Sequence, residues 1–225
     1  MWVFLSLLPA LAAEPAPPPI ATASTPPDPL AGVRPVPAPA TAQADWRSWL
    51  AGHGKPLSEL ACVQTWPGFA DTCFRVWEPT AAGKRSRRWV TSADLGAWGT
   101  TAAGLRDRVA PHAAERVGAL AKSRDVVGMK ATYLEIVDGD GWAAAAILAP
   151  EALAAKLGGA PIAVALPADT VALAWKPGDE QVDLAMAVGV HELFAAQESP
   201  VSEVIHVWDG KAWTAWAVAT PKAAP

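Results

Sequence analysis

The chain has 225 residues, 52% of them apolar, with a formal net charge of −4, twelve tryptophans against one tyrosine, and two cysteines. That length suits one ordinary core plus a tail rather than two domains. Acidic and basic residues are interspersed, which argues against nucleic acid as a partner and leaves no long-range field toward an anionic membrane.

Residues 1–13 begin the run MWVFLSLLPALAAEP, which is too short to span a bilayer and contains Ala10-Leu11-Ala12, an A-x-A cleavage pattern. This reads as a signal peptide. An uncleaved anchor or a misassigned start codon is the alternative, because no Lys or Arg precedes the apolar run. No cysteine follows it, so a lipid-anchored form is excluded. The mature chain is therefore expected to be periplasmic or secreted, with no transmembrane span.

Residues 14–43 are almost entirely Pro, Ala, Thr and small polar residues. Such a composition has little to bury against the entropy of ordering, so it reads as a disordered, proline-stiffened linker reaching on the order of 90 Å when extended. Residues 44–220 are then expected to form a single α+β domain.

Asp45 can cap a short helix through Trp46, Trp49 and Leu50. Cys62 and Cys73 stand too far apart for a C-x-x-C redox pair and lack a second pair for zinc, so a structural disulfide is expected, in keeping with export. Strands are expected at Phe74–Trp77 and Arg87–Val90, joined by a solvated basic turn. Thr91-Ser92-Ala93-Asp94 has the form of a capping box, and Thr100 or Thr101 opens a longer helix with Leu105, Val109, Val117 and Leu120 on one face. Pro111 is expected to split that helix near Ala110.

The apolar runs Tyr133–Val137 and Trp142–Leu148 flank Asp138-Gly139-Asp140-Gly141 and read as a hairpin. Calcium is excluded there, since Trp142 and Ala143 occupy positions where an EF-hand loop needs a ligand and a glycine. Pro150 opens a short helix to Leu157. Strands follow at Ile162–Leu166 and Val171–Trp175, then a helix over Glu180–Gln197, and finally a hairpin of Val204–Trp208 and Ala212–Val218 about Asp209-Gly210. Strands in sequential hairpin pairs with helices between them argue for an α+β fold with a largely antiparallel sheet.

Three stretches, RRWVTSADLGAWG, DGDGWAAAAILAPEAL with VALPADTVALAW, and SPVSEVIHVWDGKAW, resemble the YtpQ-like family of bacterial proteins over about residues 74–216. The resemblance implies an α+β domain and supplies no catalytic residues. The proline-rich leader and the cysteine pair are departures from that family.

The four histidines, His53, His112, His191 and His206, show no metal-ligand spacing, and no G-x-S-x-G elbow is present. His191-Glu192 opens like H-E-x-x-H, but Ala195 stands where the second histidine belongs and His191 should point away from the apolar face of its helix. No metal and no cofactor is expected. Among the carboxylates, Asp169, on a turn between strands, is the first candidate for acid or base work, with turn formation as its structural explanation.

A two-residue turn at Asp209-Gly210 would place His206, Trp208 and Trp213 on one side of the terminal hairpin, a candidate binding strip for a sugar ring or a partner. A covering helix would instead make those rings core. The expected function is a non-enzymatic binding or accessory module of the cell envelope. The alternatives are a hydrolase of an envelope polymer using carboxylates, and a structural adaptor for a protein partner.

Overall fold

In the computed structural model, which describes residues 33–39, 60–66, 70–79, 85–197 and 200–216, two antiparallel sheets stand beside four helices and one 3-10 helix. The expectation of an α+β fold with antiparallel sheets holds.

The four-stranded sheet comprises β1 (Val33–Pro39), β2 (Cys62–Trp66), β3 (Ala70–Pro79) and β4 (Arg85–Trp89). β3 is its spine, with β1 along one edge and β2 and β4 sharing the other. β1 falls within the segment read as linker, and its alternating prolines explain how it can be a strand. The Phe74 carbonyl accepts from the Val90 N–H on the β4 side. Residues 73 and 75 must then turn their own N–H and C=O groups toward β1, where they meet Val36 and Arg34. Pro35, Pro37 and Pro39 are of the opposite parity, so each missing N–H faces outward from an edge strand, the one place in a sheet where proline costs no ladder bond. Val33 and Pro35 are buried, so the folded unit begins before residue 44.

Cys62 and Cys73 are direct cross-strand neighbours and form the expected disulfide, with a Cα–Cα separation of 4.1 Å. Because residue 73 bonds toward β1, its pairing with β2 is of the non-hydrogen-bonded kind, in which the backbones lie closest. Replacing both cysteines by alanine is expected to cost about 3 kcal/mol in the chain-entropy account of a loop this short. Equilibrium unfolding in denaturant measures it, and an unchanged midpoint would deny the bond a structural role.

α1 (Ser92–Ala97) carries the expected capping box: Thr91 Oγ1 accepts from the Asp94 N–H, and the Asp94 carboxylate accepts from the Thr91 N–H at 2.8 Å. Arg88 donates to the same carboxylate at 2.7 Å. Burial of Asp94 works against ionisation, but the Arg88 and Thr91 hydrogen bonds prevail and hold its pKa below the usual value.

α2 (Ala102–Leu120) is one helix, capped by Thr101, with Pro111 inside it. The break expected at Pro111 does not occur. Pro111 lies on the exposed face, where water can bond the carbonyl one turn earlier that proline leaves without an N–H partner. Leu105, Val109, Ala113 and Val117 form a buried row at four-residue spacing. The first two pack beneath the four-stranded sheet with Phe74 and Val76; the last two pack on the second sheet.

That second sheet has six strands in the order β10-β9-β7-β8-β6-β5. These are β5 (Lys122–Asp125), β6 (Thr132–Val137), β7 (Ile162–Ala168), β8 (Val171–Trp175), β9 (Ile205–Trp208) and β10 (Trp213–Trp216). Every residue of β7 is buried, as a central strand covered on both faces requires. β5 is an exposed, charged edge of Lys122, Ser123, Arg124 and Asp125, a composition that discourages edge-to-edge pairing. One face packs on α2, the 3-10 helix Ala143–Leu148 and α3 (Pro150–Lys156); the other packs on α4 (Glu180–Ala196).

The strand expected over Trp142–Leu148 is that 3-10 helix. Asp138 Oδ2 accepts from the Trp142 N–H at 2.7 Å, turning the chain out of the hairpin path, and four consecutive alanines, poor strand formers, follow. Their small side chains let the backbone lie close against the sheet. The signal segment and the helix expected after Asp45 lie outside the described residues. Among the described residues no helix is long and apolar enough to cross a membrane.

Candidate functional site

The terminal hairpin pairs Trp208 with Trp213 and His206 with Ala215. Its turn is therefore longer than the expected two residues. Asp209 Oδ1 accepts from the N–H groups of Lys211 and Ala212 at 2.8 and 2.9 Å, which closes a loop over Asp209–Ala212. Hydrogen bonds from Ala212 first and Lys211 second hold the Asp209 carboxyl below its usual pKa. The register differs from the expected one by two residues, so the partition into faces survives and His206, Trp208 and Trp213 do share a side.

That side is not an open strip. His206 and Trp208 are buried, and Trp213 is half-buried against the core beneath α2 and α3. The expected exposed aromatic strip is not formed, because β9 lies between β7 and β10 with both faces covered and these rings are packing residues.

His206 is 1% exposed and lies between Val164 of β7 and Ala215 of β10. Burial pushes its pKa down to about 4, with a backbone hydrogen bond at Val204 opposing the shift. A base with a depressed folded pKa binds fewer protons when folded than when unfolded. Stability is therefore full above the unfolded value near 6.5 and declines as pH falls toward 4. The loss across that window is on the order of 3 kcal/mol. Denaturant titrations of wild type and His206→Leu at successive pH values should diverge through this range, the variant being the flatter; parallel curves would remove His206 as the cause.

Asp169 begins the two-residue turn between Ala168 and Val171. Its backbone carbonyl accepts from the Ala144 N–H at 3.2 Å, and the Thr170 carbonyl accepts from the Asp138 N–H at 3.0 Å. The Asp169 turn and the Asp138 turn are thus joined through backbone, with the Asp138 carboxylate committed to Trp142. This is the geometry of a structural junction.

His191 is 70% exposed and its Nδ1 lies 2.8 Å from a Glu203 carboxylate oxygen, a hydrogen-bonded contact between α4 and the segment leading to β9. Glu192 points to solvent. Among the described residues no group of three His, Cys, Asp or Glu side chains is placed to hold a metal ion.

What the fold does assemble is a row of two cationic groups flanked by two aromatic rings that local sequence did not single out. Arg34 of β1 pairs with Arg75 of β3, and Arg75 pairs with Trp89 of β4, so the three side chains share one face of the four-stranded sheet. The opposite face carries Val33, Phe74 and Val76 into the core. The Arg34 guanidinium lies 3.9 Å from the Trp142 ring centroid, and that of Arg75 lies 4.0 Å from the Trp89 centroid. Both distances are those of cation–π stacks. Arg75 and Trp89 are a non-hydrogen-bonded pair, the arrangement that brings side chains closest. Arg116 stands 6.0 Å from the Trp142 ring and His112 meets it edge-on at 5.5 Å, with Glu115 at 3.8 Å from His112.

The row reads Trp142, Arg34, Arg75, Trp89, drawn from the 3-10 helix junction and three strands. The only sequence signal for it was the spacing of prolines around Arg34, legible as an edge strand once β3 is in place. No family model, curated protein or solved structure matches this chain.

Proposed function

We propose that the chain is an exported cell-envelope protein, periplasmic or secreted, whose α+β domain acts as a non-enzymatic binding or accessory module. The observation that carries the reading is the Cys62–Cys73 disulfide between β2 and β3. Disulfides of this structural kind persist in oxidising compartments and are rare in the cytosol. The apolar leader ending in Ala10-Leu11-Ala12 and the proline-rich stretch after it supply a route out and a spacer. A relation to the YtpQ-like family belongs to the same proposal and assigns no residue a role. The binding part of the reading rests on the cation and indole row of the four-stranded sheet.

Cell fractionation of the tagged full chain, followed by mass measurement without reductant, tests the export. The expected species is outside the cytosol, lacks the leader and has no free thiol. A full-length, reduced chain in the cytosol would overturn it.

A further inference from the structure

We infer that the outer face of α4 is a docking surface for a basic amphipathic helix of a protein partner. The inference rests on the reading of the domain as a binding module and gives it a second surface, apart from the cation and indole row.

From Leu184 to Val190 the sequence of α4 is apolar around the whole helix, and no Lys or Arg occurs anywhere in it. A helix apolar on all sides is ordinarily covered on all sides. Val182, Met186 and Val190 fill the core against the six-stranded sheet, whereas Leu184 and Val188 are 52% and 43% exposed. Among the described residues only Val127 and Val137 are other exposed large apolar side chains, and they stand on separate elements. Leu184, Val188, His191 and Ala195 are all exposed, follow one another at alternating four- and three-residue spacing, and lie within about 60° around the axis. That is a heptad seam, the pattern by which one helix packs along another.

The charge around the seam says which helix fits. Glu180 stands at its N-terminal end and Glu192 on its flank, both exposed. Glu203, 53% exposed and 2.8 Å from His191, adds a third carboxylate toward the C-terminal end. Lys176, just before the helix, is turned to the Gly159 carbonyl. A second copy of this chain would set one acidic rim against another, a juxtaposition that suppresses pairing. A partner helix with large apolar residues on one face and Lys or Arg beside them covers Leu184 and Val188 and meets the carboxylates with opposite charge.

The test titrates the full chain, by calorimetry, with a synthetic helix of leucine and lysine that has leucine at heptad positions a and d. A peptide with glutamate in place of lysine and a scrambled leucine–lysine peptide are the comparisons. The expected result is saturable one-to-one binding of the first peptide, about tenfold or more tighter than either comparison and weakening as sodium chloride is raised. Leu184→Ser should weaken it about tenfold, the loss of part of a leucine's burial. The double variant Glu180→Gln/Glu192→Gln should lose much of the salt dependence, and it supplies the test if Leu184→Ser fails to fold.

No saturation by the leucine–lysine helix, or equal affinity for the glutamate peptide, would overturn the proposal. So would an affinity that neither variant changes. A dimer in sedimentation that Leu184→Ser dissociates would overturn it too, because a second copy would then cover the seam. A chain found reduced in the cytosol would defeat the export reading and leave these titrations unaffected, so the two failures are distinguishable.

Discussion

A chain beginning at residue 44 is expected to lose most of its stability, while one beginning at residue 32 keeps it. The shorter chain lacks β1, and with it the buried Val33 and Pro35, the seven-residue register along β3, and the Arg34 guanidinium stacked on Trp142. Burial of one valine contributes about 1.5–3 kcal/mol, and a partly desolvated cation–π stack about 1–2. The free edge of β3 then presents unpaired backbone beside Phe74 and Val76. Together these amount to about 2.5–5 kcal/mol before the lost backbone pairing is counted, comparable with the whole stability of a marginal domain. Denaturant unfolding of the two truncations measures the difference. A synthetic peptide of Val33–Pro39 added in trans should recover part of it, since an extended segment can add to a sheet edge. Equal midpoints for both truncations would show that β1 is dispensable.

The elements that sequence predicts well here are those whose signals are local. The capping box at Thr91 and Asp94, the Thr101 cap of α2, proline at the start of α3 and the apolar row of α4 each depend on residues within one or two turns of one another. Their physics is contained in the text being read. The cysteine pair was legible for a similar reason, because its spacing constrains it more than the fold does.

What failed depended on partners distant in sequence. Val33–Pro39 has the composition of a linker, and it is the pairing with β3, some forty residues later, that makes its prolines edge-compatible. Trp142–Leu148 is an apolar run of strand length, and periodicity alone cannot separate a buried strand from a buried helical turn. The Asp138 carboxylate and the run of alanines decided for the helix. Pro111 was read as a break because its exposure is set by how α2 packs. The candidate site followed the same division. The faces of the terminal hairpin were correctly partitioned by alternation, yet whether the His206 and Trp208 face met water depended on helices elsewhere in the chain. Arg34, Arg75, Trp89 and Trp142 are brought together only by tertiary structure.

The largest single-residue effects are expected at two buried tryptophans that differ in one respect. Trp142 and Trp175 are both fully buried. The Trp175 indole N–H donates to Asp183 Oδ1 at 2.9 Å, whereas the Trp142 Nε1 has no hydrogen-bond partner among the described residues. Truncating either to alanine should cost about 3–5 kcal/mol, since a ring-sized cavity opens in the core. Trp142→Ala also removes the support for Arg34, so its effect reaches the four-stranded sheet. Phenylalanine separates the two sites. In Trp142→Phe the lost ring area is partly offset, because an unpaired N–H no longer has to be buried, a saving of about 1–3 kcal/mol. In Trp175→Phe there is no such offset, and among the described residues Asp183 keeps only the Gly178 N–H at 2.9 Å as a donor. Trp175→Phe should therefore unfold at lower denaturant than Trp142→Phe, although the two alanine variants lie close together. Equal costs for the two phenylalanine variants would mean that the Trp142 N–H is satisfied in solution, and that the junction between the 3-10 helix and β1 is wetter than its packing implies.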